Sequence, residues 1–151
     1  MVSVRAAVAA EAGLLTELAL RSKAHWGYDE AFLASCRAEL TVTAPELPTR
    51  RARVAAEGGR ILGFTTLEGD PPEGEVGMCF VAPEAMGRGV GRLLFRAMLQ
   101  EAASLGFRRL EIASDPHAEA FYLAMGAVRT GSTPSGSIPG RVLPVLSCQV
   151  V

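Results

Sequence analysis

The feature that most constrains the fold is an apolar, strand-like run that ends in a proline and is followed by three closely spaced glycines. The run ends at Pro83, and the glycines are Gly87, Gly89 and Gly91. Proline cannot donate a hydrogen bond to a sheet, so the strand must stop there. From Leu93 onward, apolar residues recur at helical spacing. The segment therefore predicts a strand, a glycine-rich loop and a helix in succession.

A connection of this kind is suited to holding a phosphate group. Glycines let the backbone approach a ligand closely, and the unpaired N–H groups of the first helical turn point at a bound anion. A tight turn without a ligand is the alternative interpretation. Three spaced glycines interleaved with Arg88 and Arg92 exceed what a turn alone requires. We therefore predict a phosphate-binding loop.

Two familiar nucleotide-binding loops do not fit these residues. A nucleotide P-loop requires Lys followed by Ser or Thr after its last glycine, and the chain has Arg92 and Leu93 there. A dinucleotide-binding fingerprint that begins at Gly89 requires a third glycine where the chain has Leu94. The predicted phosphate ligand is therefore of another kind.

The loop resembles the pyrophosphate-binding motif of the GNAT superfamily, the acyl-CoA-dependent N-acetyltransferases. That motif reads Gln/Arg-x-x-Gly-x-Gly/Ala after a strand ending in Val-x-Pro; Gly89 and Gly91 match it, and Met86 occupies the Gln/Arg position. The resemblance implies acetyl-CoA as co-substrate, with backbone groups of the preceding strand orienting its pantetheine and polarising the thioester carbonyl. The residues implied to bind it are Cys79, Phe80, Val81, Gly87, Arg88, Gly89, Val90, Gly91 and Arg92.

A second stretch, residues 114–126, resembles the family signature Asn/Asp-x-x-Ala-x-x-Phe/Leu-Tyr-x-x-x-Gly-Phe. The resemblance implies that Tyr122 donates a proton to the leaving thiolate and contacts the coenzyme. A thiolate leaves more readily when it is protonated as it forms. A tyrosine that only packs in the core is the alternative. The matching residues are Asp115, Ala118, Phe121, Tyr122 and Gly126, whereas Ala127 replaces the usual Phe.

The residue that deprotonates the acceptor amine is not evident. Acyl transfer requires a free amine, so a carboxylate or histidine often removes the ammonium proton, sometimes through water. Many family members have Glu or His where this chain has Gly77 and Met78. Glu75 is one candidate base, and the two-residue period of a strand predicts that it shares a face with Gly77 and Cys79. A solvated carboxylate is the alternative for Glu75, and we interpret Cys79 as a buried thiol rather than a nucleophile.

We expect the acceptor to bind near the segment between the first two predicted helices. His25, Trp26 and Tyr28 cluster there around a glycine, and aromatic side chains offer apolar area together with hydrogen bonds. His25 is a second candidate base because its ordinary pKa lies near neutrality. Packing of Trp26 in the core is the alternative. Arg141, in a later loop, could pair with a substrate carboxylate.

The pattern along the chain predicts one mixed α/β domain spanning residues 1–151. The predicted element order is β-α-α-β-β-β-α-β-α-β-β, with hairpins early and crossovers late, which is the order of the GNAT fold. Within it we predict irregular loops or turns at 41–49, 69–74 and 132–140, where proline, glycine and small polar residues concentrate.

Composition excludes several classes of function. Apolar residues make up 49% and charged residues 21%, which indicates a globular chain. A net charge of −1 without charge runs argues against nucleic-acid or membrane-surface partners. The cysteines, Cys36, Cys79 and Cys148, are widely spaced and odd in number, which favours free thiols in the cytoplasm and no metal site.

These observations lead to two hypotheses of different classes. The first is a cytoplasmic N-acetyltransferase in which a primary amine attacks acetyl-CoA directly. The second is a non-catalytic acyl-CoA-binding or dimerisation module, suggested by Gly77, Met78 and Met86. In the first case the acceptor is a small-molecule or peptide amine that the sequence does not identify. A homodimer is compatible with either hypothesis.

Overall fold

The computed structural model describes residues 1–150, and its framework is a single seven-stranded sheet. The strands lie in the spatial order first, second, third, fourth, fifth, seventh, sixth. Their bounds are β1 Ser3–Ala6, β2 Arg53–Glu57, β3 Arg60–Asp70, β4 Glu73–Val81, β5 Arg109–Ala113, β6 Val128–Pro134 and β7 Val142–Gln149.

The helices pack on this sheet. They are α1 Ala12–Ala24, α2 Glu30–Leu40, α3 Glu46–Thr49, α4 Val90–Leu105 and α5 Glu119–Ala124, with short 3-10 helices at Ala9–Glu11, Pro83–Ala85 and Pro116–Ala118. Asp29 caps α2 by accepting a hydrogen bond from the backbone N–H of Phe32 at 2.8 Å. Gly106 ends α4 in the left-handed conformation, with φ at 93°.

The predicted order of strands and long helices is confirmed, but three connections differ from the prediction. The predicted loop at 41–49 contains α3, which Glu46 helps to begin by accepting a 2.6 Å hydrogen bond from the Thr43 hydroxyl. The predicted turn at 69–74 is shorter than expected, because Gly69 pairs with Gly74 and continues the hairpin, so that only two prolines connect the strands. The predicted loop at 132–140 begins late because β6 continues to Pro134 against β7.

Two clusters of buried apolar side chains stabilise the sheet. The first joins α1 and α2 to β2, β3 and β4, and contains Leu15, Leu18 and Phe64. The second joins α4 and α5 to β5 and β7, and contains Phe95 and Tyr122. Burial of such side chains is worth about 1.5–3 kcal/mol each, so these clusters hold the helices in fixed positions over the strands.

The strands β4 and β5 are parallel neighbours that separate along their length. Their pairing covers only Glu73 to Val76 on β4 and Arg109 to Ile112 on β5. Beyond these residues β4 continues to Val81 with no pairing to β5. A cleft lined by unpaired backbone therefore opens between the two strands at their carboxyl ends.

A bulge in β4 lies at the start of this cleft. Thr66 of β3 pairs with Met78, but the next residue, Leu67, pairs with Val76, which leaves Gly77 as an extra residue. Such a bulge shifts the alternation of side chains between the two faces of a sheet. Met78 accordingly packs in the first cluster, whereas Val76 and Cys79 contact the second.

The bulge corrects one prediction about the candidate base. Glu75 precedes Val76 and lies on the opposite face of the sheet, so it does not share a face with Cys79. The two-residue period gave the wrong face because it assumes that no residue is inserted into the strand.

Within residues 1–150, no helix combines the length and apolar character needed to cross a membrane.

Candidate functional site

The loop before α4 presents a row of unpaired backbone donors. No backbone N–H from Gly87 to Arg92 makes a hydrogen bond of normal length and angle to another residue within 1–150. Gly87 and Gly89 have φ of 81° and 79°, a left-handed conformation that glycine adopts without strain. Because the donors also lie at a helix N-terminus, where the dipole is positive, the loop can bind an anion.

The surface of this loop is open enough for a ligand to reach the backbone. A Cβ atom added at Gly87 or Gly89 would meet no other atom within 4 Å. Arg88 turns away to form an ion pair with Glu57 at 3.0 Å, whereas Arg92 is exposed. The loop therefore offers N–H groups and open space to a ligand, and Arg88 is engaged elsewhere.

Tyr122 lies at the opening of the cleft between β4 and β5. It is 5% exposed, and its hydroxyl lies beside the thiol of Cys79. Burial raises the pKa of Tyr122 well above its ordinary value, and the neighbouring Cys79 and Asp115 raise this pKa further. The phenol is therefore protonated at neutral pH and can donate a proton at this point.

Cys79 is poorly suited to act as a nucleophile. Burial raises the pKa of its thiol to about 11, although the Tyr122 hydroxyl partly offsets that effect. Only a thiolate attacks efficiently, and almost none is present at neutral pH when the pKa is so high. The Tyr122 and Cys79 pair can therefore hold or donate protons but cannot readily form a covalent acyl-enzyme.

Aromatic packing joins this pair to the loop before α4. A Cβ at Gly91 would lie 3.1 Å from the ring of Phe121, so the glycine lets α5 approach α4 closely. The Phe121 ring also meets Phe95 edge to face, with centroids 6.1 Å apart. Phe80 packs against Phe64 in the first cluster. The structure thus brings the loop, the end of β4 and α5 together, as predicted, with Ala118 partly buried beside them.

The predicted acceptor segment forms an aromatic wall on another side of the site. Trp26 is 42% exposed and stacks on His117, with centroids 5.2 Å apart and the rings nearly parallel. The exposed ring of His25 meets Trp26 edge-on at 5.1 Å. Tyr28 stacks on Phe32 at 4.0 Å. Trp26 is therefore a partly exposed wall residue rather than a core residue.

A compact charged cluster lies behind this wall. Asp115 forms ion pairs with Lys23 at 3.0 Å and with Arg141 at 3.2 Å, and it accepts a hydrogen bond from the Tyr28 hydroxyl at 3.1 Å. Arg141 also donates to the Tyr28 oxygen at 2.7 Å. These contacts join α1, the segment between α1 and α2, the segment after β5 and the loop between β6 and β7. They hold the aromatic wall in place. They also engage Arg141, which the sequence suggested as a partner for a substrate carboxylate.

Asp115 also has the capping role that the sequence predicted. Its carboxylate accepts a 2.8 Å hydrogen bond from the backbone N–H of His117. Burial raises the pKa of Asp115, but the His117 N–H, the Lys23 ammonium and the Tyr28 hydroxyl outweigh burial and lower it. Both carboxylate oxygens already accept hydrogen bonds from protein atoms. The predicted contact of Asp115 with the coenzyme remains a prediction.

We expect Asp115→Asn to destabilise the protein by about 2 kcal/mol at neutral pH. The amide keeps the cap, but the variant leaves two partly buried cations without their anion. A lowered folded-state pKa stabilises above the ordinary Asp value, and that stabilisation is lost as the pH falls through the folded pKa. Urea unfolding at neutral pH and below about pH 4 should show the difference from wild type shrinking in acid. Equal stability at neutral pH would contradict this role of the carboxylate.

Sequence reasoning missed two charged residues beside the bulge of β4. Glu68 of β3 forms an ion pair with Arg50 at 2.9 Å, and its carboxylate lies beside Gly77. No local pattern marks Glu68, because its position depends on the pairing of β3 with β4. Glu75, predicted as a base, is exposed on β4 before the bulge.

Comparison with families of known proteins gives one clear match. The model of the acetyltransferase (GNAT) family matches residues 17–127. No curated protein sequence is significantly similar to the chain.

Solved structures with the same arrangement of elements include several acetyltransferases. PaiA N-acetyltransferase from Thermoplasma acidophilum, in complex with coenzyme A, has a TM-score of 0.80 at 15% identity and covers 99% of each chain. The yncA protein from Salmonella typhimurium, with its cofactor acetyl-CoA, has a TM-score of 0.71 at 20% identity, covering 100% of this chain and 95% of the other. The ribosomal-protein-S18-alanine N-acetyltransferase from Escherichia coli has a TM-score of 0.72 at 18% identity, covering 99% and 94%. At these identities the likeness shows a shared fold.

Proposed function

The chain belongs to the acetyltransferase (GNAT) family, and from this premise we propose that it transfers the acetyl group of acetyl-CoA to a primary amine. One observation supports catalysis most strongly: the protonated hydroxyl of Tyr122 lies beside Cys79 where β4 separates from β5. A protein that only binds or dimerises has no need of a proton donor at this position. The family match and this geometry together favour an enzyme over a binding module.

Acetyl-CoA suits the shape and chemistry of the site. The unpaired N–H groups from Gly87 to Arg92 would hold the pyrophosphate, because they are open, adjacent and at a helix N-terminus. The pantetheine would then follow β4 along Cys79 to Val81, whose backbone is not paired to β5. Two of the structurally similar proteins are described with coenzyme A or acetyl-CoA, which supports this choice of co-substrate.

The amine would attack the thioester directly rather than through an acyl-enzyme. Cys79 is the only thiol at the cleft among the residues the structure describes, and its raised pKa keeps it protonated. In direct attack the C–N bond forms, the C–S bond breaks, and Tyr122 gives its proton to the departing sulfur. Tyr122 then recovers a proton from the new amide nitrogen, so the enzyme returns to its starting state.

The acceptor amine would lie against the wall of His25, Trp26 and Tyr28. Aromatic faces suit a small-molecule or peptide amine with an apolar body. One structural relative is described as acting on the alanine of a ribosomal protein, which supports a peptide as one candidate acceptor. Three free cysteines support a reducing, cytoplasmic location for this activity.

The proposed function is tested by following thiol release from acetyl-CoA with a panel of amines. The panel should include polyamines, amino acids, lysine peptides, peptide N-termini and aromatic amines. We expect thiol release that depends on both the enzyme and one class of amine. Acetyl-CoA binding without amine-dependent release across the panel would favour the non-catalytic alternative.

We expect Trp26→Ala to raise the KM for the acceptor about tenfold, which corresponds to about 1.4 kcal/mol of lost binding. The affinity for acetyl-CoA should stay nearly unchanged, because Trp26 contacts His25 and His117 rather than the loop before α4. Because Trp26 is partly exposed, we expect the melting temperature of the variant to stay close to that of wild type. A variant that loses acetyl-CoA binding and keeps its acceptor KM would contradict the assignment.

A further inference from the structure

The carboxylate of Glu68 occupies the space that a side chain at Gly77 would fill. A Cβ built on Gly77 would lie 1.6 Å from Glu68 Oε2 and 2.4 Å from its Cδ. Glu68 belongs to β3, so it reaches across to the bulge of the neighbouring strand. Position 77 therefore has a carboxylate beside it although its own residue has no side chain.

The surroundings of Glu68 hold this carboxylate in one orientation. Arg50 donates to Oε2 through Nε at 3.1 Å and through a terminal nitrogen at 2.9 Å, and the Thr66 hydroxyl donates to the same oxygen at 2.7 Å. The other oxygen, Oε1, accepts no hydrogen bond from any residue in the described range. The carboxylate is thus fixed at one oxygen and free to accept a proton or a water at the other.

The Glu68 carboxylate lies beside Gly77 of β4, the strand that borders the cleft. Gly77 is two residues before Cys79, or about 7 Å along a strand, and Glu68 shares the face of the sheet on which Met78 packs, whereas Cys79 lies on the other face. An amine that enters the cleft from the Glu68 face can be linked to this carboxylate through one water molecule. Asp115 is already bonded to Lys23 and Arg141. Glu75 is exposed and lies four residues before Cys79, so it is farther from the cleft along β4. Glu68 therefore combines the nearer position with an unoccupied oxygen.

We propose that Glu68 is the general base for acetyl transfer, accepting the ammonium proton of the acceptor through one water; this proposal rests on the proposed function. The ammonium loses one proton to the water, which passes one to Oε1, and the neutral amine attacks the thioester carbon. The C–S bond breaks, and the thiolate takes the proton of Tyr122. Tyr122 regains a proton from the nitrogen, and Glu68 releases its proton to solvent after each turnover.

Glu68→Gln tests the proposal because it removes the charge and keeps the shape. The expected result is a fall in kcat of about 10²-fold or more near neutral pH, with unchanged affinity for acetyl-CoA. A matched control is Glu111→Gln, since Glu111 is an exposed carboxylate on β5 that pairs in register with Glu75. This control should keep nearly full activity.

The dependence on pH and on the amine separates a base from a structural residue. The charged groups around Glu68 are Arg50, from the segment before β2, Glu73 and Glu75 on β4, and Arg109 and Glu111 on β5. The Glu68→Gln substitution leaves these charged groups in place. The rate of the variant should therefore rise steadily with pH, as more acceptor becomes free amine, and approach that of wild type. An acceptor amine that is already uncharged at neutral pH should be acetylated by wild type and variant at similar rates.

A second variant displaces the carboxylate without removing it. Gly77→Ala places a methyl group where Glu68 Oε2 lies, so Glu68 must move. We expect the same selective loss of acetylation rate for charged amines, with the rate for the uncharged amine again much less affected. Thermal melts of both variants report whether they are folded.

The outcomes distinguish this proposal from the proposed function. If wild type shows no amine-dependent thiol release, the proposed function fails and this proposal fails with it. If wild type is active and folded Glu68→Gln acetylates a charged amine at the wild-type rate near neutral pH, the Glu68 proposal alone is overturned. An equal loss of rate for charged and uncharged amines would also overturn it, because that pattern indicates a structural effect.

Discussion

Tyr122→Phe is expected to lower kcat by about 10²-fold or more while acetyl-CoA still binds. The change removes one hydroxyl and little volume, and the ring can keep its contacts with Phe95 and Phe121. The lost group is the proton donor beside Cys79, and a positioned general acid contributes about 10² to 10⁴ in rate. Steady-state kinetics with the preferred amine, together with calorimetric titration of acetyl-CoA, measures both quantities.

The leaving group provides the control for this prediction. An acyl donor with a more acidic thiol needs less help from an acid, so the difference between wild type and Tyr122→Phe should shrink with such a donor. Single-turnover measurements exclude slow product release as the limiting step. An unchanged single-turnover rate for acetyl-CoA would remove Tyr122 from the mechanism and leave water as the acid.

Gly89→Asp is expected to weaken acetyl-CoA binding by about 10²-fold or more. A carboxylate at this position would stand beside the pyrophosphate, and like charges about 4–5 Å apart near a protein surface repel by about 3 kcal/mol. Gly89 suits this test because a Cβ there meets no atom within 4 Å. Gly91→Asp should also weaken acetyl-CoA binding, but a side chain at Gly91 would press on Phe121 and disturb the packing as well.

Gly89→Asn is the matched control, because asparagine has the same shape without the charge. Both residues tolerate the left-handed backbone of position 89 better than most others do. We expect the asparagine variant to bind acetyl-CoA several-fold to tenfold more weakly than wild type, and the aspartate variant far more weakly. The difference in acetyl-CoA affinity between the two variants should become smaller at high salt, because salt screens the charge of the aspartate. Equal binding by folded aspartate and asparagine variants would contradict the assignment of this loop to the pyrophosphate.

The features that the sequence predicted correctly are those encoded by local patterns. Pro83 and the glycines from Gly87 mark the end of a strand and the start of a helix through their own backbone restrictions. The cap at Asp115 is likewise a local signal, and the structure confirms it. The element order followed from such signals repeated along the chain, which is why the family resemblance could be drawn before the structure was known.

The features that the sequence did not predict depend on contacts between distant segments. The bulge at Gly77 is a property of the pairing between β3 and β4, and a single glycine in a strand does not reveal it. The same pairing places Glu68 beside Gly77, nine residues away in sequence. The ion pairs of Asp115 with Lys23 and Arg141 span still longer separations. No periodicity within one segment encodes such contacts.

The most direct test of the central claim is to follow the acetyl group itself. The enzyme is incubated with acetyl-CoA bearing an isotopically labelled acetyl group and with the amine that best promotes thiol release, and the products are analysed by mass spectrometry. We predict one labelled acetyl group on the nitrogen of the amine for each thiol released, with none retained on Cys79 of the enzyme. Thiol release with labelled acetate as the only product, or with stable labelling of the enzyme, would contradict direct acetyl transfer to an amine.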